Sequence, residues 1–243
     1  MSVLGKLERR EHAGIPVMRI PYAPLDGIAS VWWRRLDANT HELQSAAESL
    51  SPAERARADR FGSAVLRERY IIGRATLRGL LSGALHAAPS SLAITCGRRG
   101  RPMLAPAGGL DFNVSHTGDV AVFAIATGAS PRIGVDIEPC RRKVAVERLA
   151  RRLLSAAERE HLATFEDEAR RLEFLKFWTC KEALCKATGD GIAAPFARIT
   201  VHPGALPTLL DGPAPYLPAH WQLHRIPMPI DCIVTIALRQ TFS

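Results

Sequence analysis

The order of apolar and polar positions predicts two successions of strands and helices along the chain. In the first, residues 28–36 predict a strand, residues 66–85 a long helix, and residues 112–114 and 120–127 further strands. In the second, residues 132–137 predict a strand, residues 168–188 a long helix capped by Gly189, and residues 198–202 and 230–238 β-type segments. The same order in both predicts two similar α+β halves. We place their join near residues 128–131 (GASP), which gives halves of residues 1–128 and 129–243.

A short sequence repeat supports this duplicated layout. Residues 50–61 (LSPAERARADRF) return as residues 154–165 (LSAAEREHLATF), with six of twelve positions identical at an offset of 104. Both copies begin with Ser-x-x-Glu, the capping box in which the serine and glutamate side chains satisfy free amides at a helix start. A cleft between two such halves is a natural place for a ligand.

Two carboxylates interrupt the apolar strand that opens the second half. In IGVDIEP (residues 133–139), Asp136 and Glu138 are two positions apart, so both side chains point to the same face of the strand. Two like charges that close repel each other unless one is protonated or a cation lies between them. If Glu182 joins them, three carboxylates and several waters form the all-oxygen site that Mg²⁺ prefers.

Glu182 belongs to a helical segment, FWTCKEALCK (residues 177–186), in which Trp178, Glu182 and Lys186 recur at intervals of four. An exposed ion pair between Glu182 and Lys186 would explain this spacing equally well, and such a pair stabilises a helix by only a few tenths of a kcal/mol. A tryptophan on the same stripe favours a face that is at least partly buried.

Composition narrows the class of protein. The 243 residues are 47% apolar and 23% charged, which excludes global disorder, and there is no run of about 18 apolar residues that predicts a membrane-spanning helix. Five cysteines without a C-x-x-C pair, and a start lacking the apolar core of a secretory signal, predict a reduced cytoplasmic chain without a zinc cluster. The net charge of +8 favours an acidic partner, whether a nucleic acid, a membrane surface, a phosphorylated small molecule or a protein.

Five segments in a fixed order carry a resemblance to a known family. They are LSPAERARADRF (50–61), GRP (100–102), FNVSHTG (112–118), GVDIE (134–138) and WTCKEALCK (178–186). Together they resemble the 4′-phosphopantetheinyl transferases, of the larger, pseudo-dimeric type that activates surfactin synthetase and other peptide, polyketide and fatty-acid synthases. The resemblance implies an α+β fold of two similar α/β halves related by pseudo-twofold symmetry, with the active site between them.

The resemblance also implies a reaction and its substrates. The family moves the phosphopantetheine arm of coenzyme A onto a serine of a carrier protein, depends on Mg²⁺ and leaves adenosine 3′,5′-bisphosphate. A monomer is expected, serving an acidic acyl or peptidyl carrier protein and binding neither nucleic acid nor membrane.

By the same resemblance, the metal ligands are Asp136, Glu138 and Glu182, and the catalytic residues are Glu182, Lys186 and Asp136, with Glu182 also a candidate base for the carrier serine. His116 is expected at the 3′-phosphate, and residues 100–102 on the adenine side. The whole set of expected coenzyme contacts is Arg57, Arg69, Gly100, Arg101, Pro102, Ser115, His116, Lys181 and Lys186.

The residues alone leave alternatives open. Another Mg²⁺-dependent phosphoryl-transfer enzyme would explain the three acids but not GRP or FNVSHTG. A basic nucleic-acid-binding protein would explain the charge, although no groove-reading or aromatic-rich motif is visible. The basic run at residues 141–152 fits a docking site for an acidic carrier and a solvated helix face equally well.

Overall fold

The computed structural model describes residues 7–12, 15–97, 99–106, 109–128 and 131–239. Ala129 and Ser130, at the predicted join of the halves, lie outside the described residues, and the boundary at residue 128 stays a prediction. No helix in the described ranges is long and apolar enough to span a bilayer.

The first half is an antiparallel sheet covered by a long helix. Its elements are β1 (Glu8–His12), β2 (Ile15–Ile20), β3 (Ala29–Arg35), α1 (Thr40–Glu48), α2 (Pro52–Ala58), α3 (Ala64–Leu85), β4 (Ile94–Cys96), β5 (Pro102–Leu104), β6 (Leu110–Thr117) and β7 (Val120–Thr127). Five of these strands form one sheet in the order β1-β2-β3-β7-β6, and β4 pairs with β5 separately.

The second half repeats the plan without the two N-terminal strands. Its elements are β8 (Ile133–Pro139), α4 (Val146–Leu153), α5 (Ala156–Ala163), α6 (Asp167–Thr188), β9 (Thr200–His202), β10 (Thr208–Asp211), β11 (Trp221–Ile226) and β12 (Cys232–Arg239). The order β8-β12-β11 matches β3-β7-β6 in the first half, and β9 pairs with β10 as β4 does with β5. The predicted pair of similar halves is confirmed.

Three clusters of buried apolar side chains hold the layers together. One lies between helix and sheet in the first half, and includes Ile72 and Phe123. A second occupies the same position in the second half, and includes Phe177. The third lies between the two sheets and joins Val122 of β7 to Val135 of β8 and to β12. The halves therefore share a core and do not form two separate domains.

Both capping boxes form as predicted, and each glutamate has a second role. The side chains of Ser51 and Ser155 accept hydrogen bonds from the backbone N–H groups of Glu54 and Glu158, and each glutamate side chain accepts one from its serine's backbone N–H. Glu54 also accepts from Arg78 of α3 at 2.6 Å. The repeat thus fixes the start of each short helix and ties it to the following long helix, since Glu158 pairs in the same way with Lys181 of α6.

Helix α6 packs on β8 closely enough that one position tolerates only glycine. A Cβ atom built on Gly134 of β8 would lie 2.5 Å from the backbone nitrogen of Ala187 and would also overlap the carbonyl oxygen of Ala183. Both obstacles are helix backbone, so they cannot move aside as a flexible side chain would. The missing side chain therefore sets how near the acid-bearing strand lies to the helix that carries Glu182 and Lys186.

We predict that Gly134→Ala lowers the free energy of unfolding by about 1–3 kcal/mol, because overpacking forces the helix and strand apart. Urea denaturation of the purified protein measures the change. Gly62→Ala is the matched control, since a Cβ atom there meets nothing within 4 Å. Equal stability of the two variants would contradict this account of the packing.

Candidate active site at the junction of the two halves

The two sheets meet where edge strand β6 runs alongside edge strand β8, and side chains bridge the gap between them. Asp111 Oδ2 accepts from the backbone N–H of Ile133 at 2.8 Å, and Asn113 Oδ1 accepts from that of Val135 at 3.0 Å. Ser115 Oγ completes this side-chain ladder by accepting from the N–H of Ile137 at 3.3 Å. The ladder places the FNVSHTG segment directly against the acidic strand.

Asp136 lies at the centre of the junction, with 4% of its surface exposed. Its Oδ1 accepts from Lys186 Nζ at 2.6 Å and from Ser115 Oγ at 3.1 Å. Its Oδ2 is buried and has no hydrogen-bond partner among the described residues. Burial raises the pKa of Asp136, and the ion pair with Lys186 only partly offsets that effect. Lys186 also donates to Ser115 Oγ at 2.7 Å, so one ammonium group holds residues from both halves.

Glu138 is buried beside Asp136 on the same face of β8. It accepts a hydrogen bond from Trp178 Nε1 at 3.0 Å and forms an ion pair with Arg142. Burial and the neighbouring charge of Asp136 raise the pKa of Glu138. The predicted stripe of Trp178, Glu182 and Lys186 thus faces the two acids of β8, which rules out the simple exposed pair between Glu182 and Lys186.

Glu182 is the third acid of the cluster, and it projects from α6 one turn before Lys186. No hydrogen bond to its carboxyl group is found among the described residues. Burial first, and then the charge of Asp136, raise the pKa of Glu182 to about 7. The three predicted acids therefore lie in one electrostatic cluster.

The donor set fits a hard divalent cation, although the described residues contain no group of three His, Cys, Asp or Glu side chains already arranged around a metal position. Carboxylate oxygens are the ligands that Mg²⁺ prefers, and the unpaired Oδ2 of Asp136 is a buried acceptor for which the described residues supply no donor. In this structure Lys186 and Arg142 supply the positive charge beside Asp136 and Glu138.

Two neighbouring cavities open at this junction. One, of about 620 Å³, is lined by Asp136, Glu138, Lys186 and the arginines Arg141 and Arg142. The other, of about 490 Å³, lies in the first half between Arg57, Arg69 and Arg74 and apolar walls that include Tyr70 and Phe61. His116 and Gly118, at the turn between β6 and β7, line both cavities. A ligand passing this turn can therefore contact both halves.

Most of the predicted coenzyme contacts line these cavities. Arg57, Arg69, Gly100 and Pro102 line the first-half cavity, Ser115 and Lys186 line the acidic one, and His116 lines both. Partial desolvation lowers the pKa of His116, and the nearby Lys186 ammonium lowers it further. The imidazole is therefore biased toward its neutral form.

Lys181 requires a correction. Its side chain is completely buried on the opposite side of α6, where Nζ pairs with Glu158 Oε2 at 2.5 Å and donates to the carbonyl oxygens of Leu153 and Phe196, each at 2.7 Å. All three ammonium protons thus have acceptors within the protein. Lys181 is the second-half counterpart of Arg78, and it anchors the capping-box glutamate instead of binding a phosphate.

Arg101 requires a correction as well. Its guanidinium is buried, binds the Asp111 carboxylate through Nη1 and Nη2 at 2.9 and 2.7 Å, and donates through Nε to the Lys186 carbonyl oxygen at 2.8 Å. Nη2 also donates to the carbonyl oxygen of Ile133 at 2.9 Å. Arg101 therefore clamps β6, β8 and α6 together and does not offer its charge to a ligand, unlike its neighbours Gly100 and Pro102, which line the first-half cavity.

Several residues of the site were not predicted from the sequence. Asp111 and Asn113 bridge the sheets, Arg142 pairs with Glu138, and Tyr70 and Arg74 line the first-half cavity. A signal for the first two was present, because Asp111, Asn113 and Ser115 place three polar side chains at alternate positions of an otherwise apolar strand. The others depend on contacts between distant segments.

Comparison with known proteins agrees with the site. Residues 132–226 match the family model described as the 4′-phosphopantetheinyl transferase superfamily, and residues 33–128 match the model described as 4′-phosphopantetheinyl transferase, N-terminal. The 4′-phosphopantetheinyl transferase HetI of Nostoc sp. is 35% identical over 86% of this chain and 86% of its own. The chain belongs to the 4′-phosphopantetheinyl transferase superfamily. It is a 4′-phosphopantetheinyl transferase enzyme, as the sequence resemblance predicted.

Two further relatives are more distant from this transferase. The putative 4′-phosphopantetheinyl transferase slr0495 of Synechocystis sp. is 32% identical over 75% of this chain and 74% of its own. The solved structure of Thermotoga maritima holo-[acyl-carrier-protein] synthase is 21% identical, covers 46% of this chain and 64% of its own, and has a TM-score of 0.37. A similarity that low adds nothing to the assignment.

Only the second half of the transferase carries the acids. Strands β3 and β8 correspond at an offset of 104, and helices α3 and α6 at an offset of 103. The positions of Asp136 and Glu138 are occupied by Trp32 and Arg34 in the first half, and those of Glu182 and Lys186 by Gly79 and Gly83. The duplication therefore yields one acidic cluster, and the first half contributes the cavity beside it.

The correction for Lys181 has a testable consequence. We predict that Lys181→Met lowers the free energy of unfolding by about 3–5 kcal/mol, because it leaves the Glu158 carboxylate buried without its cation. The KM for coenzyme A should not change. Urea denaturation and initial rates at temperatures where the variant is folded measure both quantities.

The double variant Lys181→Met/Glu158→Gln controls this test. The glutamine oxygen can still accept the 2.8 Å hydrogen bond from the Val201 N–H, and no unpaired charge remains. The double variant should therefore regain much of the lost stability. A raised KM for coenzyme A in either variant would restore Lys181 to the binding site.

The raised pKa of Glu182 predicts a pH dependence of stability. Between the ordinary value of 4.5 and the folded value of about 7, the folded protein holds a proton that the unfolded chain has released. Stability contributed by this group is therefore full below about pH 4.5 and falls as the pH rises through 7. We expect the Tm in EDTA buffer to fall from pH 5 to pH 8, and to fall less in Glu182→Gln.

The raised pKa values of Asp136 and Glu138 also lower the stability as the pH rises, so the Tm of Glu182→Gln should still fall somewhat with pH. The variant Glu160→Gln, at an exposed position of α5, removes one negative charge away from the cluster and serves as the control. Differential scanning fluorimetry measures the Tm of each variant across the pH range. An identical fall of Tm with pH in Glu160→Gln and Glu182→Gln would contradict the prediction.

Proposed function

We propose that this transferase moves the 4′-phosphopantetheine arm of coenzyme A onto a serine hydroxyl of an acyl or peptidyl carrier protein and releases adenosine 3′,5′-bisphosphate. The observation that carries the proposal is the pair of cavities joined at His116. One is lined by Asp136, Glu138 and Lys186, and the charges of these two acids act on the nearby carboxyl group of Glu182. The other presents arginines around apolar walls. A pyrophosphate ester with a nucleotide at one end has the chemistry that both cavities require.

In this proposal the nucleotide end of coenzyme A lies in the first-half cavity. The rings of Tyr70 and Phe61 lie 5.3 Å apart at its wall, and Arg57 lies 5.5 Å above the Tyr70 ring. Apolar and aromatic walls suit an adenine ring, and nearby guanidinium groups suit phosphates, which they bind in a planar fork. His116 at the turn is placed to donate a hydrogen bond to a phosphate oxygen.

The acids are proposed to be the metal ligands, namely Asp136, Glu138 and Glu182. Bound Mg²⁺ would neutralise the negative charge that develops on the phosphates during transfer. The repulsion among the acids, which contributes to the raised pKa of Glu182, supports a site that holds a cation during function. Lys186 lies beside Asp136 in the same cavity and is placed to bind a phosphate oxygen.

For the chemical step, the serine oxygen of the carrier attacks the phosphorus that bears the pantetheine arm. The bond from that phosphorus to the bridging oxygen of the pyrophosphate breaks, and the electron pair leaves with adenosine 3′,5′-bisphosphate. Glu182 is also the proposed acceptor of the serine proton, directly or through a water molecule, since it belongs to the same acid cluster as Asp136 and Glu138. Lys186 would stabilise the negative charge on the transferred phosphoryl group.

The carrier protein is proposed to approach over the basic segment that follows β8. Arg148, Arg151 and Arg152 of α4 carry positive charge at the surface, and Arg141 and Arg142 continue this basic surface to the rim of the acidic cavity. An acidic carrier would be steered to such a surface by complementary charge. A cytoplasmic monomer also forms part of the proposal, supported by five free cysteines and by the presence of both halves in one chain.

The central prediction concerns the mass of the carrier. Incubation of the transferase with coenzyme A, Mg²⁺ and a panel of apo acyl and peptidyl carriers should add one phosphopantetheine group to the serine of at least one carrier. Asp136→Ala should lower kcat by about 100-fold or more, because it removes a proposed metal ligand from the reacting centre. Intact-mass spectrometry of the carrier measures both.

Thr179→Val is a matched control, since Thr179 is a buried residue of α6 that bonds Arg225 on the side of the helix away from the acids. It should lose stability but keep its turnover per folded molecule. Full turnover by Asp136→Ala would reject the assignment of the acids, and unmodified carriers throughout the panel would reject the proposed substrates.

A further inference from the structure

The side-chain ladder between β6 and β8 has a residue at its centre that has no part in the proposed mechanism. Asn113 is 4% exposed, lines neither of the two cavities, and uses Oδ1 to accept the N–H of Val135 at 3.0 Å. Val135 directly precedes Asp136 in the chain. The side chain that holds Val135 therefore acts on the residue next to the central acid of the site.

At this edge of β8, the side chains of the ladder take the place of backbone hydrogen bonds from a neighbouring strand. Among the described strands, β8 pairs through its backbone with β12 alone. Its N–H groups on the other side point toward β6, which belongs to a different sheet. A buried N–H without an acceptor costs about 1–3 kcal/mol. Asp111, Asn113 and Ser115 supply the three acceptors, spaced by two residues to match the period of both strands.

Because the acceptors of β6 are spaced by two residues, they do not by themselves fix the register between β6 and β8. The contacts at the two ends of the ladder fix it. A shift of β8 by two residues would still place polar side chains opposite its N–H groups. At one end, however, Arg101 joins Asp111 to the carbonyl oxygen of Ile133, and at the other end Lys186 joins Ser115 to Asp136. Asn113 is the link between these clamps, and it is the one rung of the three that has no charged partner among the described residues.

We propose that Asn113 is a positioning residue for catalysis, which sets the place of Asp136 by holding the Val135 N–H from the opposite half of the protein. The inference rests on the proposed assignment of Asp136 to the active site. In that case strand β6, which carries His116, also fixes the position of the acids on β8. The nucleotide cavity and the acid cluster are thereby held in one fixed relation.

Three side chains of similar size at position 113 separate positioning from folding. Asn113→Leu removes the acceptor and leaves the Val135 N–H unpaired, whereas Asn113→Asp keeps an oxygen at the Oδ1 position. We expect Asn113→Leu to lower kcat about tenfold or more, since small misplacements at a reacting centre have effects of that size. Its KM for coenzyme A should stay within about twofold, and Asn113→Asp should recover most of kcat.

Amide hydrogen exchange supplies the readout that does not depend on activity. The Val135 amide should exchange faster in Asn113→Leu than in the parent protein, and Asn113→Asp should restore its protection. Ile72→Val, a conservative change in the first-half core, controls for general loss of stability and should leave both kcat and Val135 exchange unchanged.

The outcomes distinguish this inference from the proposed site. If Asp136→Ala keeps its turnover, the site assignment fails. The positioning role fails if Asp136→Ala is inactive but Asn113→Leu retains the parent kcat. It also fails if the activity lost by Asn113→Leu equals the fraction of protein that is unfolded. Equal losses in Asn113→Leu and Asn113→Asp, or unchanged exchange at Val135, would also overturn it.

Discussion

Strands β6 and β8 lie side by side at the middle of this transferase and are held together by side chains. Asp111, Asn113 and Ser115 accept the N–H groups that a neighbouring strand would otherwise pair, and Arg101 closes one end by binding Asp111 and backbone carbonyl oxygens. Without these acceptors the edge of β8 would be a row of buried, unpaired donors. Every other feature of the site depends on this junction, because it brings the acids of one half against the serine and histidine of the other.

The buried acids at the junction are only partly paired within the described part of the chain. Three carboxylates lie together, burial raises their pKa values, and one oxygen of Asp136 has no donor among the described residues. Lys186 and Arg142 offset only part of the repulsion. Away from the site, the buried carboxylate of Glu158 is paired with Lys181. This contrast between satisfied and unsatisfied buried charge is typical of functional sites, where polar groups are held ready for a substrate.

The duplication shows which features the fold needs and which the reaction needs. Each half keeps a capping-box glutamate bonded to a cation of its long helix, Glu54 with Arg78 and Glu158 with Lys181. These pairs attach a short helix to a long one, which both halves require. The acid cluster lies in the second half, and the cavity with arginines and apolar walls lies beside it in the first, so the two copies have taken complementary roles.

Local sequence signals determined much of this protein. Periodicity predicted the long helices to within two residues of their ends, and capping boxes marked the short helices. The alternation in IGVDIEP placed Asp136 and Glu138 on one face. These signals are readable because they reflect interactions between residues near in the chain. The sequence could not tell which of two lysines five residues apart faces the acid cluster, or that Arg101 turns inward. Those outcomes depend on which distant groups surround each side chain. Only the packing of α6 between β8 and the capped helix decided that Lys186 meets Asp136 while Lys181 meets Glu158.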